Sequence, residues 1–410
     1  MSNQITYQLS NIPGFINLIK TGDISPEFEK YYSSQQYSTK VNQKYTIVKY
    51  NKEFLRPDLF RSYGLLRSVI LSDKQVVCFA PPKSLLAEYF IKTNYITGNH
   101  IIAEEFIEGT MINVFFDKNY GCWQIATRNT VGAEVSFYKL STLTFHQMFT
   151  EACTNNNFNI STLNPRYCYS FVLQHPDNRI VVPIVRAQLY LVAVYQIIQT
   201  IDEVTVVEEN LSDVINTGLW NSIGVKFPKR YEYSTYGELI ETFASRNTDY
   251  NIMGVVVKNT ENGTRTKFRN PIYEEVRHLR GNQPKLQYQY LCLRHSGKLP
   301  EFLKYYPETK NEMSKFRDQV HMFTENLHKN YISCYVKKER PLKDYSNQYR
   351  THMFKLHEHF ISNLRPNRQC ITNTEVIKYI NSLHPSLLMY CLNFNMRKRM
   401  IDTIRADSLI

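Results

Sequence analysis

Residues 104–116 read EEFIEGTMINVFF, and this stretch decides how the surrounding chain folds. An acidic pair leads into FIEG, and the β-branched and aromatic residues of TMINVFF after the glycine are typical of a strand. The segment DKNYG at 117–121 has the composition of a turn, and WQIAT at 123–127 again has that of a strand. We therefore predict an antiparallel sheet built around this stretch.

Further strand-like runs lie on both sides of it. They are KYTIVKY (44–50), LLRSVIL (65–71), QVVCF (75–79), YCYSFVLQ (167–174), RIVVPIV (179–185), LYLVAVYQI (189–197) and IMGVVVK (252–258). Between the last two, TYGELIETFAS (235–245) spaces its apolar residues as a helix does. We predict an α+β unit over residues 40–271, preceded by a short N-terminal adaptor segment, residues 1–39.

The pattern changes after residue 271. Long segments such as NEMSKFRDQVHMFTENLHKNYISCYV space apolar residues three and four apart, which predicts an all-α C-terminal domain over residues 272–410. This last third carries +10 of the net charge of +12. Such an asymmetry fits a domain that faces a polyanion, and a solvated basic surface explains it equally well.

Composition excludes several classes of protein. With 410 residues, 43% hydrophobic residues and 13% aromatic residues, the chain is long enough for two or three globular domains. It has no apolar run of about 18 residues, and its first residues, MSNQITYQLS, lack the layout of a signal peptide. Eight cysteines without a CxxC pair argue against a zinc ribbon or a disulfide framework. We expect a cytoplasmic protein with reduced thiols, no membrane segment and no metal site.

A series of short boxes follows in a distinctive order. They are YNKEF (50–54), SYGLLRSVIL (62–71), FAPPKSLLAEYF (79–90), FIEG (106–109), IATRNTVGAE (125–134), FVLQHPDNRIV (171–181), MGVVVKN (253–259) and TKFRN (266–270). In order and spacing they resemble the motifs of the covalent nucleotidyltransferases, the RNA and DNA ligases and capping enzymes. The chain is most similar to the phage RNA ligases that repair cleaved tRNA.

The resemblance implies a fold and a set of ligands. The fold would be a nucleotidyltransferase domain, an ATP-grasp-like ligase adenylation domain with antiparallel sheets, and a helical domain would follow it. ATP and Mg²⁺ would be the cofactors of an active member, and RNA, possibly tRNA, would be the substrate. The resemblance also implies a relationship to large DNA viruses, which often carry such enzymes and their derivatives.

The residues that perform this chemistry are replaced. A lysine of lowered pKa must attack the α-phosphate of ATP, and carboxylates must hold metal and ribose. By the resemblance, Phe106 stands where the nucleophilic lysine belongs, Val172 and Met253 replace two carboxylates, and Tyr63 replaces an arginine. The loss of two carboxylates should weaken magnesium binding. These replacements predict a pseudoenzyme with no catalytic residue at the motif position and no bound metal.

Other residues of the boxes remain. The framework residues Gly109, Asn178, Arg179, Gly254, Lys267 and Asn270 are kept, and Glu108 replaces the motif aspartate. We predict a phosphate-binding cleft whose nucleotide-binding residues are Glu108, Gly109, Arg128, Lys258, Lys267 and Arg269, with Lys83 in its wall. The alternative is that these cations lie at strand ends and face solvent. Trp123 and Tyr138 could stack on a base, although such residues more often belong to a core.

A second set of cations follows the last box. Arg277, Arg280, Lys285 and Arg294 alternate with Tyr273, Tyr288 and Tyr290, a pattern that suits single-stranded RNA. An amphipathic helix that packs on the preceding domain and ends at LRGN explains the same residues equally well.

Three functions remain open. The leading hypothesis is a catalytically degenerate RNA ligase-like protein that binds nucleotide or RNA without forming a covalent adenylate. The alternative is an active ATP-dependent RNA ligase that uses a relocated lysine such as Lys83. The third is a structural or scaffolding viral protein, in the host cytoplasm or the virion. The sequence does not indicate an oligomeric state.

Overall fold

The structure is a computed structural model that describes residues 4–96, 100–136, 143–283, 285–397 and 399. Tyr138, a predicted stacking residue, lies outside the described residues. The chain divides into two compact units, residues 1–278 and residues 279–410. The predicted division at residue 272 and the predicted adaptor of residues 1–39 stay predictions.

The strands of the described residues all belong to the first unit. They are β1 (Ile5–Gln8), β2 (Tyr32–Ser38), β3 (Lys44–Tyr50), β4 (Val69–Ser72), β5 (Gln75–Phe79), β6 (Ile101–Glu105), β7 (Thr110–Asp117), β8 (Cys122–Ala126), β9 (Tyr167–Gln174), β10 (Gln188–Gln199), β11 (Val204–Glu208), β12 (Arg230–Tyr231), β13 (Gly254–Asn259) and β14 (Arg265–Arg269).

These strands form three antiparallel sheets. A six-stranded sheet has the order β1-β11-β10-β9-β7-β8. The N-terminal sheet has the order β2-β3-β4-β5, and the site sheet has the order β12-β6-β13-β14. The predicted α+β class with antiparallel sheets is confirmed for this unit. The segments assigned to the adaptor supply β1, which pairs with β11, and β2, which pairs with β3.

Both faces of the six-stranded sheet are covered. One face carries Phe115, Cys168 and Tyr195 into a core shared with the N-terminal sheet, which contributes Ile47 and Phe79 among others. The opposite face carries residues such as Phe171 and Leu189 into a second core. Strands buried on both faces are rich in apolar residues along their whole length, and this explains why YCYSFVLQ and LYLVAVYQI do not alternate strictly.

Most of the predicted strands are confirmed, including TMINVFF at β7 and WQIAT at β8. The strand predicted at 179–185 is wrong, because these residues form an irregular loop. In this loop the Arg179 guanidinium donates to the Val181 carbonyl, at 3.0 Å from Nε. Pro183 also lacks the N–H that a central strand needs. β-Branched composition alone therefore misidentified a loop whose hydrogen bonds run to side chains.

Helices occur in both units. They are α1 (Phe15–Thr21), α2 (Ala87–Thr93), α3 (Phe145–Asn155), α4 (Leu211–Ile215), α5 (Tyr236–Phe243), α6 (Pro271–Arg280), α7 (Leu286–His295), α8 (Leu299–Tyr305), α9 (Lys310–Tyr331), α10 (Asn347–His359), α11 (Asn373–Ser382) and α12 (Pro385–Leu392). The predicted helical C-terminal region is confirmed, and so is the helix predicted at 235–245. Among the described residues, none of these helices has the length and apolar character that a membrane span requires.

Candidate functional site

One face of the site sheet collects charged side chains. In the antiparallel register Lys258 lies opposite Arg265, and Gly254 lies opposite Arg269. Val256 lies opposite both Lys267 on β14 and Glu104 on β6. Residues that are opposite or two apart share a face, so these charged residues project from the same side of the sheet. The other side carries Val255, Val257 and Phe268 into a hydrophobic core.

Phe106 follows β6 and lies beside the cations of β14. Its half-buried ring has the Lys267 Nζ 4.3 Å from its centroid and the Arg269 Cζ 5.4 Å from it. A ring face attracts cations through its quadrupole, so Phe106 gives Lys267 a neutral partner where the resemblance implies a second amine. The ring thus lines a cationic surface and is not enclosed in a hydrophobic core.

Lys267 is the most perturbed cation of this surface. Burial lowers its pKa well below the ordinary value, and the neighbouring charges of Arg265, Arg67, Arg269 and Lys83 lower it further. In the described part of the chain, no carboxylate lies within ion-pair distance of Lys267. The cations therefore repel one another, and an anion bound among them would relieve this repulsion.

Lys83 and Arg67 belong to the same group. Burial and four cations, Arg67 first among them, lower the pKa of Lys83. Its Nζ donates to the Ser84 carbonyl at 2.9 Å and lies 4.9 Å from the Phe60 ring centroid. Burial and nearby arginines also lower the pKa of Arg67 to about 10. We call Arg67, Lys83, Arg265, Lys267 and Arg269 the cationic cluster.

Two cations of the cluster, Arg265 and Arg269, have partners within the protein. Arg269 pairs with Glu274 at 2.6 Å, and the Arg265 Nε donates to the Pro82 carbonyl at 3.1 Å. Arg128 is exposed on the loop after β8, with its Cζ 5.2 Å from the Tyr50 ring centroid, and its charge helps to lower the pKa of the half-buried Lys49. Arg128 also helps to lower the pKa of Arg67, so the structure places it near the edge of the cluster.

Lys258, at the other end of the same face, has an acidic environment. It forms an ion pair with the buried Glu208, which also accepts a hydrogen bond from the Tyr7 hydroxyl at 2.7 Å. Burial raises the pKa of Glu104, while Lys258 and Arg230 oppose that rise. A cavity of about 690 Å³ opens here, and it is lined by Glu104, Glu208, Glu209, Asp213, Glu261, Arg230 and Lys258 among others. The structure therefore does not bring Lys258 into an uncompensated phosphate site.

Glu108 is buried and supports the backbone. Its carboxylate accepts hydrogen bonds from the N–H groups of Val181 and Val182, each at 3.1 Å. Burial raises its pKa, and these hydrogen bonds oppose the rise. The carboxylate is 4% exposed and holds the loop that was predicted as a strand, so the geometry gives it no free face for a nucleotide.

Gly109 is required by a close backbone approach. Its φ is +152°, and a Cβ at this position would lie 2.5 Å from the Leu173 carbonyl oxygen on β9. Gly254 is equally constrained, because at φ +128° its Cβ would lie 2.0 Å from the Phe268 carbonyl oxygen. Gly109 and Gly254 are therefore both explained by strand packing alone.

The replaced positions do not fit a magnesium site. Val172 is buried, and Met253 offers only its backbone carbonyl, which accepts from the Asn270 N–H at 3.2 Å. Tyr63 stacks on Tyr31 with a centroid distance of 4.7 Å. Within the described ranges, no group of three His, Cys, Asp or Glu side chains could hold a metal ion. Hard cations need oxygen ligands, and Met253, at the position where the resemblance implies a metal-binding glutamate, has no carboxylate.

The predicted RNA-binding residues are largely engaged within the protein. Arg277 pairs with Glu274 at 3.2 Å, and the Arg280 Nη1 donates to the Gln289 Oε1 at 2.9 Å. The Arg294 guanidinium donates to the Asn381 Oδ1. Lys285 precedes α7 and is exposed. Tyr273 and Tyr290 are buried, so the proposed stacking on RNA bases is wrong for these two rings. The predicted amphipathic helix is α6, which ends at Arg280.

Trp123 is partly buried and packs against the second core. Its ring packs on Phe116 and Tyr169, with centroid distances of 5.5 and 6.4 Å. The alternative of a base-stacking role for Trp123 is therefore not supported by its position. Sequence reasoning missed Arg67 and Arg265, although Arg67 lies within the SYGLLRSVIL box and Arg265 directly precedes TKFRN. Their proximity to predicted site residues was the available signal.

Comparison with curated proteins finds a viral relative that is similar in sequence to this chain. No protein-family model matches the chain. The chain is 26% identical over 276 residues to the "Immediate-early protein ICP-46 homolog" of Invertebrate iridescent virus 6. The match covers 62% of this chain and 58% of the viral protein, so it spans less than two thirds of that relative. This virus is a large DNA virus, and the predicted relationship to a protein of such a virus is confirmed.

Solved structures similar to this chain include three ligases. An archaeal ATP-dependent RNA ligase is 12% identical, with 91% of this chain and 82% of that chain covered and a TM-score of 0.41. A putative ATP-dependent DNA ligase from Aquifex aeolicus is 14% identical, with 83% of this chain and 81% of that chain covered and a TM-score of 0.39. Naegleria gruberi RNA ligase with PPi is 12% identical, with 43% of this chain and 50% of that chain covered and a TM-score of 0.30.

Proposed function

We propose that this chain is an RNA ligase-like protein that binds nucleotide or RNA without forming a covalent adenylate. The observation that carries the proposal is the contact of the Phe106 ring with Lys267, inside a cluster of cations that is short of carboxylates. The order of the sequence boxes supports a nucleotidyltransferase-type domain. The related viral protein supports a role in infection, in the host cytoplasm or the virion.

Phosphate groups are the ligands that suit the cationic cluster. Lys267 and Lys83 both have lowered pKa values because burial and neighbouring cations disfavour their charged forms. A phosphate oxygen placed between them accepts charge-assisted hydrogen bonds and removes the repulsion at the same time. A nucleotide triphosphate or an RNA backbone both supply several such oxygens. The cluster therefore favours a polyanion over a neutral ligand.

Covalent chemistry at the motif position is not available to this chain. Phe106 has no nucleophilic atom, and nucleotidyl transfer to a side chain needs an amine, thiol or hydroxyl. Glu108 is occupied by backbone N–H groups. By the resemblance, Val172 replaces a ribose-binding carboxylate and Met253 replaces a metal-binding one. Position 106 thus cannot supply the nucleophile, and the cations around it are suited to holding phosphates.

Incubation with α-labelled ATP and Mg²⁺ or Mn²⁺ tests the proposal. We expect no covalent protein adduct, together with salt-dependent binding of ATP or of short RNA. Lys267→Met should weaken that binding about tenfold, while the exposed Lys92, changed to Met, serves as the matched control. A covalent adduct would overturn non-covalent binding, and absence of binding at low ionic strength would favour a scaffolding protein.

An active ATP-dependent RNA ligase is the second candidate function, because the site holds lysines of lowered pKa. A nucleophilic lysine is activated by desolvation and by neighbouring cations, and both act on Lys83 and Lys267. ATP and Mg²⁺ would then be cofactors, and RNA, possibly tRNA, the substrate. This candidate predicts a labelled lysine that is lost in Lys83→Ala. An adduct that survives in this variant and disappears in Lys267→Ala would assign the nucleophile to Lys267.

A further inference from the structure

A second concave surface of the first unit lies apart from the site sheet. It is a cavity of about 1120 Å³, formed by the end of α1, by β5, by the ends of β7 and β10, and by the start of β9. No residue of the site sheet lines it. We call this cavity the basic groove. Its volume is at or above the upper end of the range typical of small-ligand pockets, about 300–1,000 Å³.

The charges of the basic groove have one sign. Lys20, Lys74, Lys118 and Arg166 line it, and no aspartate or glutamate of the described residues belongs to its lining. Lys20 forms an ion pair with Asp202 outside the lining. The other three are exposed, and none of them is within ion-pair distance of a carboxylate in the described part of the chain. Three unpaired cations along one groove favour a ligand with repeated negative charges.

Apolar surface lies between these cations. Phe116, Tyr167 and Ile197 are half-buried in the lining, and Ile201 is 82% exposed. The Tyr167 ring packs edge-on against the Tyr169 ring, with the ring centroids 6.4 Å apart. This contact restricts the orientation of the Tyr167 ring. Partly exposed rings between cations are the arrangement on which successive bases of a single strand stack.

Hydrogen bonds fix the turns that present the cations. The Val76 N–H donates to the Gln199 Oε1, and the Gln199 Nε2 donates to the Lys74 carbonyl, both at 2.8 Å. Next to Lys118, the Asn119 Nδ2 donates to the Ser72 hydroxyl at 3.1 Å. The β4–β5 turn and the β7–β8 turn are therefore tied together. The positions of Lys74 and Lys118 are set before any ligand binds, which lowers the entropic cost of binding.

We propose that the basic groove binds single-stranded RNA, with the phosphates on Lys74, Lys118 and Arg166 and a base on Tyr167. An acidic peptide would use the cations but would leave the rings without stacking partners. The choice of RNA over DNA rests on the proposed function, whereas the groove itself is independent of the cationic cluster. The proposal gives the protein a second phosphate-binding surface, separate from the cationic cluster.

Fluorescence anisotropy with a short labelled oligouridine tests the groove in the full chain. Lys74→Gln combined with Lys118→Gln should weaken binding about tenfold and reduce the salt slope by about 1.4, since each phosphate contact on a single strand contributes about 0.7. The matched control combines Lys30→Gln with Lys92→Gln, two exposed lysines outside the groove. Tyr167→Leu keeps an apolar contact with Tyr169 and should weaken binding about tenfold through lost stacking.

Each outcome of this test has one meaning. Wild-type affinity in both groove variants overturns the proposal, and so does displacement of the RNA by a polyglutamate peptide as readily as by unlabelled RNA. Equal affinity for oligodeoxythymidine overturns the assignment to RNA. If Lys267→Met loses RNA binding and the groove variants bind as the wild type does, the groove is rejected and the proposed function is kept. If the groove variants lose RNA binding and Lys267→Met binds as the wild type does, the groove is kept and RNA binding at the cationic cluster is rejected.

Discussion

Lys258 and Lys267 lie on the same face of the site sheet, yet their surroundings differ. Lys258 is paired with a buried glutamate, Glu208, in a cavity rich in carboxylates. Lys267 is surrounded by cations and has the ring of Phe106 as its neutral neighbour. At the Lys258 end of the face, positive charge is compensated by carboxylates of the protein. At the Lys267 end, positive charge is left for a ligand to compensate. The difference indicates which end stabilises the fold and which end binds phosphate.

The largest expected effect comes from breaking the compensated end. Glu208→Gln leaves Lys258 without its partner, and removing one member of a buried pair costs about 3 kcal/mol of unfolding free energy. Urea denaturation measures this loss. The double variant Glu208→Gln/Lys258→Met removes both charges and should recover most of the stability. A double variant as unstable as Glu208→Gln alone would show that the pair is not the cause.

The second prediction concerns the uncompensated end. Lys267→Met removes a buried cation that its neighbours repel, so the free energy of unfolding should be unchanged or higher by about 1 kcal/mol. ATP or RNA binding should nevertheless weaken about tenfold. Lys258→Met is the matched comparison and should lose stability more than binding. If the two variants behaved alike in both measurements, the contrast between the two ends would be wrong.

The smallest expected effect is on pH dependence. The pKa of Lys267 in the folded protein lies below its value in the unfolded chain, about 10.4. Between these two pKa values the unfolded chain holds one more proton, so the free energy of unfolding rises with pH across this window. Phosphate binding takes up a proton and should weaken over the same window. Lys267→Arg, which does not titrate there, should flatten both profiles, as urea denaturation and calorimetry at several pH values would measure.

Much of the fold could be predicted from local composition. The predicted KYTIVKY and QVVCF runs coincide with β3 and β5, because β-branched and aromatic residues bounded by turns favour strands. Short or polar strands such as β2, with its sequence YSSQQYS, carried no such signal. Their place in a sheet depends on pairing with β3, and that information is not local.

The site was predicted in its outline and not in its partners. The box order correctly indicated that Phe106, Lys267 and Arg269 lie together. It did not indicate that Lys258 is neutralised by Glu208, because the two residues come from different sheets. It also assigned Glu108 to a ligand, although two backbone N–H groups occupy its carboxylate. Whether a charge is free depends on tertiary contacts, which a motif does not contain.

The pairing of β1 with β11 has a consequence for biosynthesis. Tyr7 on β1 and Glu208 on β11 are hydrogen-bonded although they lie 201 residues apart in the chain. During translation at about 5–20 residues per second, the first strand emerges from the ribosome roughly 10–40 s before its partner. Contacts of such long sequence separation slow folding, because the loop between them must close first. Strand β1 therefore waits unpaired until β11 has been synthesised, and only then can it take its place at the edge of the six-stranded sheet.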